Sequence, residues 1–577
     1  MVTAITDLVF FLVLVLGLGA ALAPNWPLKA GERLCLGIAA ALLALYLAGF
    51  GLFVAGLATA WLWLLPAATL ALIGWRRRQI LALCREPEMR SLLGLWGVFL
   101  LWTIGLLALV GSYSGGGWAG DWVEHHQRTR VFMQEADPHM HFLGSYTLTS
   151  RPPLANVVTA VFMEFSPGRF ADFQFFTTLL STLFFFPGWL FYQRWKDSRG
   201  ANALWALVLM LNPLVAQNTT FAWTKLTCTF WILSGSYFLL RGVLNELGAR
   251  ERIAGFLCLA AGLITHYSAG PWILAWVIAY AVWALRPIRG LRPLREAGIV
   301  ALACGLLTLT WFGWAIHTYG LQDTGTSNSA AQSWNTQTPH DRVLVPLRNI
   351  VDTFVPHPFR TMDKGIIYQL SQGGRVRDYF FNIYQTNLPL AAGFSGFFVI
   401  IFSCLRPPRT QTSSPPRERR FWLWFAPFII LTGILVHTPP EGWGLAHICL
   451  QPLVIIGLAW IATRLPLLPA TVRTGFVLLL LWDVGVGLVL PFLIEANTYY
   501  VDELSPAPGW GFDVTHLNRV AMLNYGNKTV HSMNFFADTL GASEVLIALV
   551  LTALLALIVI RISRQPKHIP PALHVGP

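Results

Sequence analysis

Residues 34–75 read LCLGIAAALLALYLAGFGLFVAGLATAWLWLLPAATLALIGW, a run of 42 positions without one charged side chain. An α-helix rises about 1.5 Å per residue, and the hydrocarbon core of a bilayer is about 30 Å thick, so about 20 apolar residues cross it once. The run is long enough to cross twice. It predicts two consecutive spans joined in a tight helical hairpin. Helices are the only sensible reading, because backbone groups in lipid must find their partners within the chain.

The same pattern continues outward from this block. Charged residues make up 12% of the 577, mean hydropathy is +0.56, and there are 25 Trp and 38 Phe. Soluble domains carry about twice that share of charge. Fifteen spans are expected, near 5–24, 34–53, 55–75, 92–111, 173–191, 202–217, 226–240, 253–265, 271–285, 297–316, 388–405, 421–436, 445–462, 474–494 and 545–560. The fold class is therefore an all-α polytopic membrane protein, a bundle of about fifteen transmembrane helices with extracytoplasmic loops. It divides into an N-terminal module (1–316) holding a first large loop at 112–172, a loop or cap at 317–387, and C-terminal helices (388–577) with a loop at 495–544.

The loop charges set the expected sides. Alternate connections collect Lys29 and Arg33; Arg76, Arg77, Arg78, Arg85 and Arg90; Arg194, Lys196 and Arg199; Arg241, Arg250 and Arg252; Arg286, Arg289, Arg292 and Arg295; Arg406, Arg409, Arg417, Arg419 and Arg420; Arg464 and Arg473; and Arg561, Arg564 and Lys567. These are 27 of the 40 basic residues. Basic loops stay cytoplasmic. The N-terminus is thus expected outside and the C-terminus in the cytoplasm, with the short basic loops facing anionic lipid. A bacterial inner membrane is the expected location. The net charge of +12 reflects this sorting and not nucleic acid. No G-x-x-x-x-G-K-[ST] or G-x-G-x-x-G fingerprint occurs, so an activity here must run without a nucleotide-binding domain of its own. None of the seven cysteines falls in a long outer loop, which excludes a disulfide framework there.

One dense charged stretch follows the fourth span. GDWVEHHQRTR (120–130) places Asp121, Glu124, His125, His126, Arg128 and Arg130 within ten positions. Thirty residues after Asp121 comes SRPPLANVV, with Arg151-Pro152-Pro153-Leu154. A carboxylate beside several cations suits transfer of a phosphate-linked group, which needs a base for the acceptor hydroxyl or amine and cations for the leaving phosphate. Asp121 is the expected base. Glu124, at i+3, is either a second carboxylate or a partner for Arg128 at i+4. Lys225, His266, Arg151 and Arg128 are the candidates for donor phosphate. A carboxylate base opposite a phosphate leaving group suggests direct displacement with inversion.

An acidic residue opening the first large outer loop, then basic-Pro-Pro-Leu, resembles the GT-C class glycosyltransferases. The closest resemblance is to the branch with the lipid A aminoarabinose transferase and the protein O-mannosyltransferases. It is best between about 120 and 271. The resemblance implies a polyprenyl-phosphate-linked sugar donor used at the outer leaflet, and a lipid, glycan or protein acceptor in the cell envelope. Two positions depart from the family. Lys225 in NPLVAQNTTFAWTKL stands where the family often has Asp, and His266 in GLITHYSAGP where Lys is common.

His125, His126, His139 and His141 include ligand types for a divalent metal, although the spacing matches no closed site. No cofactor is required by the expected reaction. His437, Glu441 and His447, around VHTPPEGWGLAHICLQP, are possible substrate contacts because polar groups at that depth are costly. Asp483 stands alone in an apolar span and calls for a partner inside the bundle. Two rival readings share the topology. One is a transporter or flippase of a lipid-linked saccharide, which needs polar residues through the depth of the bundle. The other is a glycan ligase or polymerase using a polyprenyl-diphosphate donor.

Overall fold

The computed structural model describes residues 2–110, 121–142, 146–197, 201–285, 292–360, 372–406, 416–436 and 449–497. Helices dominate, and the one extended pairing among these residues is the isolated bridge Phe142–Tyr146. Seven helices among them are long and apolar enough to cross a membrane: Ala4–Leu22, Ala30–Ala55, Pro87–Leu107, Phe170–Trp195, Pro293–Thr326, Arg417–Val436 and Ala470–Glu495. Shorter apolar helices add to them: Leu154–Met163, Tyr267–Val282, Gly393–Leu405 and Gln451–Leu467. The protein is an all-α polytopic membrane protein. The expected span at 545–560 and most of the 495–544 loop lie outside the described residues.

The 42-residue block does turn back on itself. Ala30–Ala55 ends at Gly56, whose φ of 61° is a left-handed cap that a side chain would resist. Thr59–Trp63 then forms one 3-10 turn, and Leu64–Arg85 returns. The hairpin does not pack only on itself, because the Ala4–Leu22 helix touches both arms. It meets the first arm where two glycines face each other, and a Cβ on Gly37 would collide with the Gly19 carbonyl. On the second arm, Ile73 reaches to within 2.8 Å of where a Gly17 Cβ would stand. Small residues allow such close backbone approach in lipid, where apolar burial does not drive helices together.

Two helices form the centre. Phe170–Trp195 is buried along its whole apolar window, and in Lys225–Val243 only Arg241 escapes full burial. A helix apolar on every side belongs inside a bundle. Lys225–Val243 packs on Ala249–Leu263 through Gly235, whose absent Cβ would lie 2.7 Å from the Gly255 carbonyl oxygen.

Three expected elements are redrawn. The 202–217 span breaks into Ala203–Met210 and Pro213–Thr220. Pro213 has no N–H to continue the ladder and opens the second helix at its first turn. Asn212 caps that helix, its Oδ1 accepting from the Val215 N–H at 3.0 Å. The 112–172 loop is not a free outer excursion: Leu154–Met163 within it is wholly buried. The helix expected to end at 316 runs on to Gly320, whose φ of 84° and ψ of 163° break it, and a second short helix continues to Thr326.

Ion pairs gather the basic connections at one end. Arg33 pairs with Glu86 at 2.6 Å, and Arg252 with Glu296 at 2.6 Å. Arg241 bridges Glu32 and Glu246, while Arg194 bridges Glu246 and Glu418 at 2.6 and 2.8 Å. Connections that the charge pattern assigned to one side thus meet physically.

Candidate active site

The site lies at the other end, where the Asp121–Phe132 helix begins. Asp121 and Glu124 occupy its first turn. A helix N-terminus carries partial positive charge, which suits carboxylates. Both face one arginine. Arg151 Nη2 is 3.5 Å from Asp121 Oδ1, and its Nε is 3.5 Å from Glu124 Oε1. Pro152 forces extended backbone on the residue before it, and Arg151 sits at φ −132°, ψ 138°. The following Leu154 N–H donates to the Ile264 carbonyl at 2.8 Å. Tyr267 repeats this tie, its hydroxyl donating to the Thr149 carbonyl at 3.0 Å. The Arg-Pro-Pro-Leu segment and the GLITHYSAGP turn are therefore locked together.

His266 enters on that turn. Its Nδ1 accepts from the Ser268 N–H at 3.1 Å, so a neutral ring carries its proton on Nε2. Burial, with the positive charges of Arg151 and Lys225, holds His266 far below the usual imidazole range. It is a neutral donor and not a cation.

The Asn212-Pro213 break delivers the next two groups. Trp223 Nε1 donates to Asp121 Oδ2 at 3.0 Å. Lys225 places its ammonium 3.2 Å from the centre of the Trp223 ring. Phe221 packs on the same indole, its ring centre 4.1 Å away. Asp121, Arg151 and Lys225 come from three separated segments and form one cluster.

The two carboxylates differ sharply. The Asp121 side chain is 21% exposed and that of Glu124 is 0% exposed. Burial raises the Asp121 carboxyl above its ordinary value, against the pull of Arg151 and Lys225. Burial also acts on Glu124, but Arg151 and Arg128 outweigh it and hold that carboxyl at about 2. Arg128 is spoken for. It donates to Glu124 Oε1 through Nε and Nη2 at 3.0 and 2.7 Å, to the Leu148 and Thr147 carbonyls at 2.6 and 2.9 Å, and to Ser150 Oγ at 2.7 Å. Its guanidinium lies over Phe142, 4.4 Å from the ring centre. Glu124 and Arg128 brace the site, and Arg128 presents no unengaged nitrogen to a phosphate.

The four loop histidines do not converge. His125 and His126 are buried, and His126 packs on Phe170 and Phe173 at 5.4 and 4.9 Å between ring centres. Burial pushes both imidazoles down to about 3. His139 lies against Tyr319, and His141 is exposed. Among the described residues no three His, Cys, Asp or Glu side chains come together as metal ligands. His437, Glu441 and His447 lie outside the described residues.

No family model and no curated protein matches this chain. Two solved structures are similar to it. The crystal structure of ArnT from Cupriavidus metallidurans bound to undecaprenyl phosphate is 13% identical, with 80% of this chain and 88% of that one covered at a TM-score of 0.41. The apo form of the same protein is 14% identical, covering 62% of this chain and 75% of that one at a TM-score of 0.30.

Sequence reasoning missed Trp223. Nothing in the sequence separates it from the other 24 tryptophans; only its position two residues before Lys225 hints at a role. Also unforeseen is a layer of amides leading up to it. Gln385 Nε2 donates to Gln217 Oε1 at 3.3 Å, and Gln451 Nε2 to Asn218 Oδ1 at 3.1 Å.

Proposed function

We propose that this protein is an integral membrane glycosyltransferase. It moves a sugar from a polyprenyl-phosphate donor to a lipid, glycan or protein acceptor at the extracytoplasmic face. The observation that carries this reading is the convergence of a partly exposed carboxylate, Asp121, with the Arg151 guanidinium and the Lys225 amine, which burial lowers to about 7, at one end of a membrane bundle. The order of the acidic and Arg-Pro-Pro-Leu segments, as in GT-C enzymes, supports it.

In the proposed reaction Asp121 takes the proton of the acceptor hydroxyl or amine. The acceptor atom bonds to the anomeric carbon as the carbon–oxygen bond to phosphate breaks, and the electron pair leaves on phosphate. Arg151 and Lys225 stabilise that developing charge, and the His266 Nε2–H adds a neutral donor. One displacement inverts the sugar carbon. Glu124 keeps Arg128 and Arg151 in place. The end rich in arginine faces the cytoplasm of a bacterial inner membrane, and the Asp121 end faces out.

The test uses purified protein and its Asp121→Asn variant, each given radiolabelled undecaprenyl-phosphate sugars with membrane extract. Asp121-dependent release of undecaprenyl phosphate with label passing to an acceptor supports the enzyme. Movement of intact lipid-linked sugar across vesicles without release supports the transporter reading and sinks this one.

A further inference from the structure

Asp121 is held from two directions. Arg151 attracts Oδ1, and the Trp223 indole N–H binds Oδ2 at 3.0 Å. The same indole offers its face to Lys225. One side chain therefore touches the carboxylate through its edge and the ammonium through its ring. The two contacts are chemically independent. An N–H donor favours the charged carboxylate, and the π-face attracts a cation.

We infer that Trp223 is a positioning residue that sets both partners of the transfer: its N–H pins the carboxylate of Asp121, and its ring holds the Lys225 ammonium where the donor phosphate binds. The role in turnover rests on the glycosyltransferase reading; the clamp itself does not. Phe221 packs on the indole and the short Phe221–Thr224 link joins two helices, so the ring has little freedom to turn. The groups that face Asp121 are Arg151, Lys225, Glu124 and Trp223, with His266 and His125 in the same cluster. Removing the N–H takes away one stabiliser of the carboxylate while Arg151, Glu124 and Lys225, itself lowered by burial to about 7, all remain. Asp121 then holds its proton to higher pH.

Trp223→Phe removes the N–H and keeps an aromatic face. Trp223→Leu removes both. The first readout needs no substrate. Infrared titration of the detergent-purified protein, taken as the difference from the same background carrying Asp121→Asn, isolates the Asp121 carboxyl. Its midpoint is expected to rise by about one pH unit in Trp223→Phe, the shift that a lost hydrogen bond to a carboxylate corresponds to. An unmoved midpoint overturns the clamp on Asp121. The second readout is binding of undecaprenyl phosphate, sugar-free. Trp223→Phe is expected within about threefold of wild type and Trp223→Leu about tenfold weaker, the range of a cation–π contact at a desolvated site. Equal binding by the Leu variant overturns the hold on Lys225. Unchanged thermal unfolding of Trp223→Phe shows that the fold is intact. The third readout is the pH profile of turnover, whose acid limb should follow the infrared midpoint upward. A shifted midpoint in a protein that transfers no sugar leaves the clamp standing and removes the enzyme. Asp121-dependent transfer with no shift does the reverse.

Discussion

Asp121 and Glu124 stand one helical turn apart, and their surroundings assign them different work. Asp121→Asn removes the proposed base while keeping size and a hydrogen-bond acceptor. Turnover should fall by at least about 100-fold, the scale of general base catalysis, with the melting temperature unchanged. Glu124→Gln strips the buried Arg128 of its counter-charge. Breaking such a pair costs about 3–5 kcal/mol, so folded yield and melting temperature should drop together. If the two variants exchange these phenotypes, Glu124 is the base. Acid sensitivity is argued from the same helix. His126 is held at about 3 in the folded protein against an ordinary 6.5. A depressed imidazole favours the native state above 6.5 and loses that advantage as pH falls toward 3, because the unfolded chain binds the proton first. His126→Phe keeps the packing on Phe170 and Phe173. It should flatten unfolding free energy against pH between 6 and 4 by about 1.4 kcal/mol per unit, measured by denaturant titration in detergent. An unchanged slope rejects this account. At this scale the sequence made the charged cluster legible, because charge is rare in this chain and stands out. It could not rank the carboxylates, since burial is set by the Leu148–Ser150 segment folding over Arg128, twenty residues away.

Elements were legible wherever apolar length alone decides. Ala30–Ala55, Pro87–Leu107 and Phe170–Trp195 all fall where long apolar runs lie, whereas the span expected at 55–75 gives a 3-10 turn and a Leu64–Arg85 helix that is apolar only as far as Trp75. The reading failed where a break sits inside an apolar run. Asn212-Pro213 interrupts 202–217 with only one polar side chain, and the helix that it opens ends at the Phe221–Thr224 link carrying Trp223. Asp483 shows the converse, a charge whose role lies in another element. It accepts from the Phe394 and Ser395 N–H groups at 2.9 Å each, from Ser395 Oγ at 2.7 Å and from Tyr384 at 3.1 Å. It caps the Gly393–Leu405 helix from across the bundle, where Gly393, at φ 82°, leaves room for its Oδ2. Asp483→Leu should leave two backbone donors buried and unmet, at about 1–3 kcal/mol each. Thermal unfolding should show that loss, with Asp121-dependent transfer retained in the folded fraction. A wild-type melting temperature for this variant means the cap is idle.

At the scale of the whole molecule, the alternation of charge is a statement about which loops share an end, and the ion pairs bear on it directly. Arg33, Arg194, Arg241 and Arg252 each reach a carboxylate on a different connection of the same parity. Gln134, just after the Asp121 helix, donates to the Leu57 carbonyl at the hairpin turn. From that turn the Ala30–Ala55 helix, 26 residues and about 39 Å long at 1.5 Å per residue, runs back to Arg33 at the arginine-rich end. The two ends are therefore a membrane thickness apart, and a probe that cannot cross the bilayer must distinguish them. Glu135 is exposed at the Asp121 end and Gln79 at the arginine end. In a background with Cys84 and Cys404 changed to Ser, Glu135→Cys should react with an impermeant maleimide added to intact spheroplasts. Gln79→Cys should react only after the cells are opened. This ordering follows from basic loops being retained in the cytoplasm. The reverse pattern would put Asp121 in the cytoplasm, and with it a donor made on that side. Labelling of both sites from outside would mean that Leu64–Arg85 does not cross, and the hairpin reading of residues 34–75 would fall.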